Sequence, residues 1–156
     1  MQEGKVMQVA YVVRDLEDAM RRHWEVFGMG PWHIYTFEPG KIGNYFYRGK
    51  PATHTCFIAV TFGDTTQVEL MQPISGRSIY DEHLEAKGEG LHHVKLFHAD
   101  CARAVADFER RGYPVIQCGR IDEDEHYYLD TERDFGSVIE LGNAGKIRAA
   151  ERMFPG

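Results

Sequence analysis

The stretch GLHHVKLFHAD, residues 90–100, determines how the rest of the chain is interpreted. It starts at a glycine, continues through residues typical of a β-strand and ends at Asp100, a favoured helix N-cap. The same pattern occurs at residues 7–15, where Gln8 occupies the position of His93. Each copy is followed by an amphipathic helix and then by a glycine. The chain therefore contains one unit twice, and a polar residue of metal-binding type opens each copy.

Both units also contain a glutamate between apolar residues in their last strand, Glu69 in the first unit and Glu140 in the second. Gln8 lies 61 positions before Glu69, whereas His93 lies 47 positions before Glu140. The difference of 14 positions fits an insertion in the aromatic- and glycine-rich residues 33–50 of the first unit. The first and last strands of the two units match, but the segments between them differ in length. This pattern indicates a duplicated unit that has acquired an extra segment in one copy.

The pattern predicts an α+β fold in which each half consists of a strand, a helix and about three further strands. We expect one domain over residues 1–142, made of module 1 (5–77) and module 2 (89–142). A connector helix over residues 78–87 joins the two modules, because a Ser cap opens it and a glycine ends it. The polar tail, residues 143–156, is expected to be peripheral, with its last residues able to dock on a neighbouring subunit.

Composition excludes several classes of function. The net charge is −6 and no dense patch of Lys and Arg is present, which argues against nucleic acid or an anionic membrane as a partner. No apolar run approaches the roughly 18 residues that span a bilayer, and the first residues do not resemble a signal peptide. Three widely spaced cysteines without a Cys-x-x-Cys motif argue against a disulfide framework and favour the cytoplasm.

Period-two alternation assigns the polar residues of these strands to one face of the sheet. The apolar neighbours of each residue should pack against the helices, which turns the polar side chain to the opposite face. A single glutamate in a strand commonly lies on a solvated face, and a single histidine is more often structural than a ligand. Two glutamates at equivalent positions are more informative, because a buried carboxylate is costly unless it is paired or coordinated. Three oxygen donors and one imidazole suit a six-coordinate divalent ion with two open positions. The predicted ion site consists of Gln8, Glu69, His93 and Glu140.

Four segments resemble the vicinal-oxygen-chelate superfamily, which includes glyoxalase I, methylmalonyl-CoA epimerase, extradiol dioxygenases and antibiotic-resistance proteins. The resemblance extends to about residue 142 and implies two βαβββ modules that form a cupped mixed sheet around a metal, commonly in a homodimer. It places the family's ligand positions on the same four residues. The segments that carry the resemblance are MQVAYVVRDLEDAMRRHWEVFGMGPW (7–32), TTQVELMQP (65–73), GEGLHHVKLFHAD (88–100) and FGSVIELGN (135–143).

Two branches of this family resemble different parts of the chain. The Gly-Leu-His-His strand is most similar to methylmalonyl-CoA epimerase, but that enzyme usually opens with a histidine ligand where this chain has Gln8. Methylmalonyl-CoA epimerase also has a general-base glutamate, for which this chain shows no counterpart, because its residues 50–62 contain no carboxylate. The Gln/Glu/His/Glu set instead resembles zinc-type glyoxalase I, although no basic residues that would bind glutathione are identified. An extradiol dioxygenase is disfavoured, because its iron site requires two histidines and one carboxylate.

The epimerase and glyoxalase branches share proton abstraction next to a carbonyl. The resemblance implies one divalent ion per site, with Zn²⁺ the first choice and Ni²⁺, Co²⁺, Mn²⁺ or Fe²⁺ as alternatives, and a small carbonyl or thioester substrate. We assign the role of base to Glu140, with Glu69 as its possible partner on the opposite face of the substrate.

Two other classes of function also fit the sequence. One is a non-catalytic protein that binds a drug or metabolite in an aromatic-lined cleft. The other is a metal-dependent transferase or hydrolytic lyase with the same ligands. Aromatic residues and histidines of the first module are predicted to shape the substrate pocket. They are Trp32, His33, Tyr35, Tyr45, Tyr47 and His54.

Overall fold

A computed structural model describes all residues, 1–156. Four helices lie against one sheet of eleven strands. None of the helices is long and apolar enough to span a bilayer. In chain order the elements are β1 (Val6–Val12), α1 (Leu16–Phe27), β2 (Trp32–Phe37), β3 (Ile42–Tyr47), β4 (Lys50–Pro51), β5 (Thr55–Phe62), β6 (Gln67–Ser75), α2 (Ile79–Lys87), β7 (Gly90–Phe97), α3 (Cys101–Arg110), β8 (Val115–Ile121), β9 (Asp124–Leu129), α4 (Glu132–Phe135), β10 (Val138–Gly142) and β11 (Arg152–Phe154).

The two halves of the chain have the same strand order. In the first half the order is β1-β6-β5-β2, and in the second it is β7-β10-β9-β8. In each half the opening strand pairs in parallel with the closing strand, and the remaining pairs are antiparallel. The halves join through antiparallel pairing of β1 with β7 in the same chain. This repeated topology confirms the predicted α+β fold with two βαβββ units.

The inserted segment does not stay in the half that contains it. Strand β3 pairs with β8 at the far edge of the second half, and β4 pairs with β3 as the outermost strand. Because β3 follows β2 in the chain, residues 38–41 carry the backbone from one end of the sheet to the other. The insertion therefore connects the outer ends of both halves on the side where the cavity described below lies.

The C-terminal tail makes the reverse crossing. After β10 the chain leaves the second half, and β11 pairs antiparallel with β2 at the outer edge of the first half. Docking of the last residues on a neighbouring subunit stays a prediction, and Arg152–Phe154 forms its strand pairing within the same chain. An edge strand presents unpaired N–H and C=O groups, and β11 covers those of β2.

Helix α1 forms where its caps predict it. Asp15 accepts a hydrogen bond from the backbone of Asp18, and Gly28 adopts a left-handed conformation with φ 66° that ends the helix. Its apolar face packs on one side of the first half of the sheet through Leu16 and Met20, which are buried. Helix α3 covers the same side of the second half through a smaller core cluster. Helices α1 and α3 thus occupy one face of the sheet, whereas Ile79 and Tyr80 of α2 pack into the core cluster on the other face, beside a cavity.

Candidate active site

A cavity of about 280 Å³ lies on the face of the sheet opposite α1 and α3. Side chains that alternate with the helix-facing core line it, as period-two strands require. The cavity takes residues from both halves of the chain, because β1 and β7 are neighbours at the centre of the sheet. Its apolar walls include Tyr35, Phe37 and Met71, whereas its polar side chains come from the strands at the centre.

The predicted ion-binding residues converge on this face. The Nε2 atom of His93 lies 3.4 Å from Oε2 of Glu69 and 3.4 Å from Oε2 of Glu140. Gln8 also lines the cavity and donates from its amide nitrogen to Gln67 at 3.0 Å, so the amide oxygen is the atom available to an ion. All four predicted residues are buried. One chain therefore brings together side chains from both of its halves.

A β-bulge explains how two consecutive histidines of β7 come into contact. Ala10 of β1 pairs with His93, but the next residue of β1 pairs with Leu91, so His92 is an extra residue without a partner. Both rings are buried and their Nδ1 atoms lie 2.8 Å apart, which requires one nitrogen to donate and the other to accept. The bulge thus supplies His93 with a hydrogen-bonding partner from its own strand.

The two histidines of this pair differ in what surrounds them. Burial, followed by the neighbouring His93 and His83, lowers the pKa of His92 well below its usual range, so His92 is neutral. The two Nδ1 atoms share one hydrogen bond, and the Nε2 atom of His93 faces two carboxylates.

The two glutamates differ in their partners. Oε1 of Glu140 lies 3.2 Å from Nζ of Lys95, which is buried and also lies 3.5 Å from Oδ2 of Asp124. The lysine crosses β10 at Gly142, where an added Cβ would lie 2.1 Å from the Cε atom of Lys95. Glu69 contacts His93 but has no lysine partner. Glu140 is therefore fixed through one oxygen, and its other oxygen is directed towards His93.

These contacts shift the pKa values of the two glutamates in opposite directions. Burial raises the pKa of Glu69, and the nearby His93 only partly offsets this effect. Burial acts in the same direction on Glu140, but Lys95, His93 and His126 together outweigh it and lower the pKa to about 2. Glu140 is thus charged at neutral pH, whereas Glu69 is the more basic of the two carboxylates.

The residues present fit a divalent cation. No three His, Cys, Asp or Glu side chains already converge on one point as a preformed ion site. However, the buried Nε2 of His93 has no hydrogen-bond partner and faces two carboxylates, an arrangement that requires a cation or a proton between them. Both distances from Nε2 are short enough for the imidazole and either carboxylate to bind the same ion. When ionised, the three carboxylates of the site exceed its single ammonium group by two negative charges. These groups are Glu69, Glu140 and Asp124, with Lys95 as the ammonium.

The six predicted pocket residues divide into three groups. Tyr35 and His54 line the cavity. Trp32 does not, because it is fully buried on the opposite face of β2 and packs against α1. The prediction for Trp32 is therefore corrected. It follows the turn before β2, and alternation along the strand places it on the face opposite to Tyr35.

The remaining three predicted residues lie beside the cavity. His33 shares the face of Tyr35 but stacks edge-to-face on Phe62 at the rim. Tyr45 is buried and donates its hydroxyl proton to Gln117 or the carbonyl of Arg77. Tyr47 donates to Glu82 of α2. The inserted hairpin turns these two tyrosines towards the connector helix, so they support the cavity from outside.

The cavity residues that the sequence analysis missed include Lys95, His126, Tyr128 and Asp124. Lys95 lies two residues after His93, and the alternation that placed His93 on the cavity face also places Lys95 there. The same rule would have selected His126 and Tyr128 once β9 was aligned with β10, because Tyr128 pairs with Glu140. Asp124 could not be inferred, since its position depends on the turn between β8 and β9.

Comparison with known proteins agrees with this geometry. The model of the Glyoxalase/Bleomycin resistance protein/Dioxygenase superfamily matches residues 7–129. The chain belongs to this superfamily. The match confirms the family inferred from the sequence motifs. No curated protein matches the sequence.

Solved structures show the same fold. Hypothetical protein BH1468 from Bacillus halodurans C-125 aligns over 97% of this chain and 100% of its own, with a TM-score of 0.70 and 16% identity. Methylmalonyl-CoA epimerase from Mycobacterium tuberculosis aligns over 90% of this chain and 87% of its own, with a TM-score of 0.64 and 17% identity. A variant of the Streptomyces coelicolor epimerase, in complex with 2-nitronate-propionyl-CoA, aligns over 95% of this chain and 99% of its own, with a TM-score of 0.66 and 16% identity. At these identities the similarity shows the fold alone.

Proposed function

We propose that the protein is a divalent-metal-dependent isomerase or lyase that removes a proton next to a carbonyl and stabilises the resulting enediolate. One observation carries the proposal. The unpartnered Nε2 of His93 faces Glu69 and Glu140 at 3.4 Å, in a cavity large enough for a small substrate. A buried cluster of this kind, without a structural partner for the histidine, is characteristic of a reactive site rather than of a core.

Gln8, Glu69, His93 and Glu140 are the residues that would hold the ion, with zinc as the first choice among divalent metals. When bound, the ion would supply Lewis-acid stabilisation of negative charge on the substrate's carbonyl oxygen. The hydrogen bond between His92 and His93 would keep the lone pair of His93 directed into the site. This second contact is what a ligand histidine needs to retain one tautomer.

Glu69 is the better choice for the base, which revises the role first given to Glu140. A base must present an oxygen that can take up a proton, and Glu69 lines the cavity without an ammonium partner. Its burial raises its pKa towards the range useful for proton abstraction. Lys95 neutralises Glu140 and holds one of its oxygens, so Glu140 serves better as a fixed anion. The apolar walls exclude water and strengthen these electrostatic effects.

The substrate is a small carbonyl compound or thioester, and structural relatives described as methylmalonyl-CoA epimerases support this class. A homodimer, as is common in the family, and a cytoplasmic location, as the three unpaired cysteines favour, complete the proposal. Light scattering at several concentrations would test the dimer.

The deciding experiment measures metal content and proton exchange together. Protein purified without added metal is analysed by mass spectrometry, alongside His93→Ala and the control His98→Ala outside the cavity. We expect near-stoichiometric divalent metal in the wild type and the control, and loss of metal in His93→Ala. In heavy water, the metal-loaded protein should exchange the α-protons of S-butyryl-N-acetylcysteamine, followed by NMR.

The results separate the alternatives. Metal without α-proton exchange, on this thioester or on the adduct of methylglyoxal and glutathione, would favour a transferase or hydrolytic lyase. If none of these proteins takes up metal even on soaking, a binding protein becomes the better interpretation. The aromatic and aliphatic walls of the cavity, including Tyr35 and Phe37, are the observation that supports that second function.

A further inference from the structure

We infer that the cavity accepts a compact, uncharged carbonyl compound with an apolar chain, rather than a substrate attached to a polyanionic carrier such as coenzyme A. The inference rests on the proposed function, because it takes this cavity as the substrate site. It concerns the part of the substrate that does not contact the polar residues at the centre of the cavity. The outer wall of the cavity, its cations and its size all favour such a compound.

The outer wall of the cavity is the apolar surface formed by Phe37, Ile42, Ile121 and Ile147. Part of this wall comes from segments outside the repeated unit. Ile42 belongs to the inserted hairpin, Ile147 belongs to the C-terminal tail, and both line the cavity. Ile42 pairs with Ile121 of β8, so these isoleucines form a continuous apolar surface with the neighbouring Phe37. A surface of this composition binds aliphatic groups through the hydrophobic effect and offers no polar group to a phosphate.

The tail that carries Ile147 is fixed in position. Arg148 binds Asp122 through two nitrogens, at 3.0 Å and 2.7 Å, and its backbone N–H donates to the same carboxylate. Further along, Glu151 accepts from the backbone and hydroxyl of Thr36. These contacts lie on both sides of the cavity, so the tail forms a stationary wall rather than a mobile end.

The cavity has one cationic side chain, and its charge is already balanced. Among the residues that line the cavity, only Lys95 is a lysine or arginine, and it contacts Glu140 and Asp124. A bound polyanion would have to compete with these two carboxylates. The chain as a whole carries a net charge of −6, which adds long-range repulsion.

Most cationic side chains next to the outer wall also contact carboxylate or carbonyl oxygens already. Lys41 contacts Glu38 and Glu151, Arg148 pairs with Asp122, and Arg120 donates to the carbonyl of Asp122. Lys146 is exposed and makes no ion pair. One unpaired lysine does not provide the several charge-assisted hydrogen bonds that a pyrophosphate and a further phosphate require.

Cavity size is consistent with this substrate class. A volume of about 280 Å³ lies just below the range of typical ligand pockets, about 300–1,000 Å³. It suits an acyl group with a few carbons beyond the carbonyl. A long carrier would have to lie outside the cavity.

The test uses two thioesters that share an acyl group, S-butyryl-N-acetylcysteamine and butyryl-coenzyme A. Calorimetry of the metal-loaded protein should show that the coenzyme A ester binds no more than about threefold tighter than the short thioester. A larger preference for the coenzyme A ester, or no binding of the short thioester, would overturn the inference. Binding of the short thioester without α-proton exchange would leave this inference intact and contradict the proposed chemistry.

Variants of Ile147 test the wall itself. Ile147→Ala should raise the affinity for the octanoyl thioester relative to the butyryl thioester by about tenfold, because the pocket deepens. Ile147→Phe should shift the same ratio in the opposite direction. The control Ile74→Ala changes an exposed isoleucine outside the cavity and should leave the ratio unchanged. Ratios that stay at the wild-type value in both Ile147 variants would exclude this residue as a determinant of chain length.

Discussion

Glu69 and Glu140 occupy equivalent places in the two halves of the molecule, but their surroundings differ. In the second half, Lys95 lies opposite Glu140 in the pairing of β7 with β10. In the first half, Ala10 lies opposite Glu69 in the pairing of β1 with β6. Gly142, which makes room for the lysine, likewise corresponds to Met71 two residues after Glu69. One half has an internal counter-ion, and the other has only apolar side chains at the same positions.

This difference shows how a duplicated backbone can produce two chemical roles. The repeat places two carboxylates symmetrically about His93. The residues beside them then separate their basicities, because a charge partner lowers one pKa and burial raises the other. Each of the following variants changes one side of this comparison.

The largest effect is expected on catalysis. Glu69→Gln should reduce the rate of α-proton exchange by roughly 100- to 10,000-fold with metal retained, because it removes the base. Glu140→Gln should act mainly through weaker metal binding, so its rate should recover substantially at saturating metal. Exchange rates measured across a metal titration would distinguish the two. If Glu69→Gln recovers with metal and Glu140→Gln does not, the assigned roles are reversed.

Lys95→Met should lower the free energy of unfolding by about 3–5 kcal/mol in the absence of metal, because it leaves Glu140 buried without its counter-ion. Urea denaturation in the presence of a chelator measures this loss. Lys50→Met is the matched control, since Lys50 is exposed and makes no ion pair. Equal stability of Lys95→Met and the wild type would mean that the buried ion pair contributes nothing to folding.

The two glutamates should affect the acid stability of the metal-free protein in opposite directions. The pKa of Glu140 is lowered from 4.5 to about 2, so its stabilising contribution is present above pH 4.5 and is lost as the pH falls towards 2. Glu140→Gln should flatten this part of the stability curve. The pKa of Glu69 is raised, so its charged form disfavours the folded state, and Glu69→Gln should be more stable than the wild type near neutral pH.

Thermal unfolding across the pH range would test this contrast. A stability curve for Glu140→Gln as steep as that of the wild type between about pH 4.5 and 2 would contradict the role of Lys95 in setting this pKa. Stability lost at neutral pH in Glu69→Gln would show that the charged form of Glu69 is favoured by folding.

The smallest effect concerns the space that Gly142 provides. Gly142→Ala should lower stability by about 1–3 kcal/mol, because the new Cβ would overlap the Lys95 side chain. Gly43→Ala is the control, since its nearest neighbour lies 3.9 Å from an added Cβ. Combining Gly142→Ala with Lys95→Met should cost less than the sum of the two losses, because the overlap is absent without the lysine. Additive losses would indicate that the two residues act independently.

Much of the cavity face was predictable from the sequence. The spacing of the repeat located the insertion, and alternation placed Gln8, Glu69, His93 and Glu140 on one face, where the structure brings them together. Applied without exception, the same rule would have added Lys95 and removed Trp32. These two errors came from selecting residues by chemical type before assigning them to a face of their strand.

The sequence by itself determined the repeated unit, its caps and the face on which each strand residue lies, because these depend on local backbone geometry. Only the tertiary structure decided that the inserted hairpin pairs with β8 and that the tail returns to β2. It also decided that Lys95 neutralises Glu140, while Glu69 has no such partner. These features depend on contacts between residues far apart in the chain, and local periodicity does not record which distant strand completes an edge or which charge lies across it.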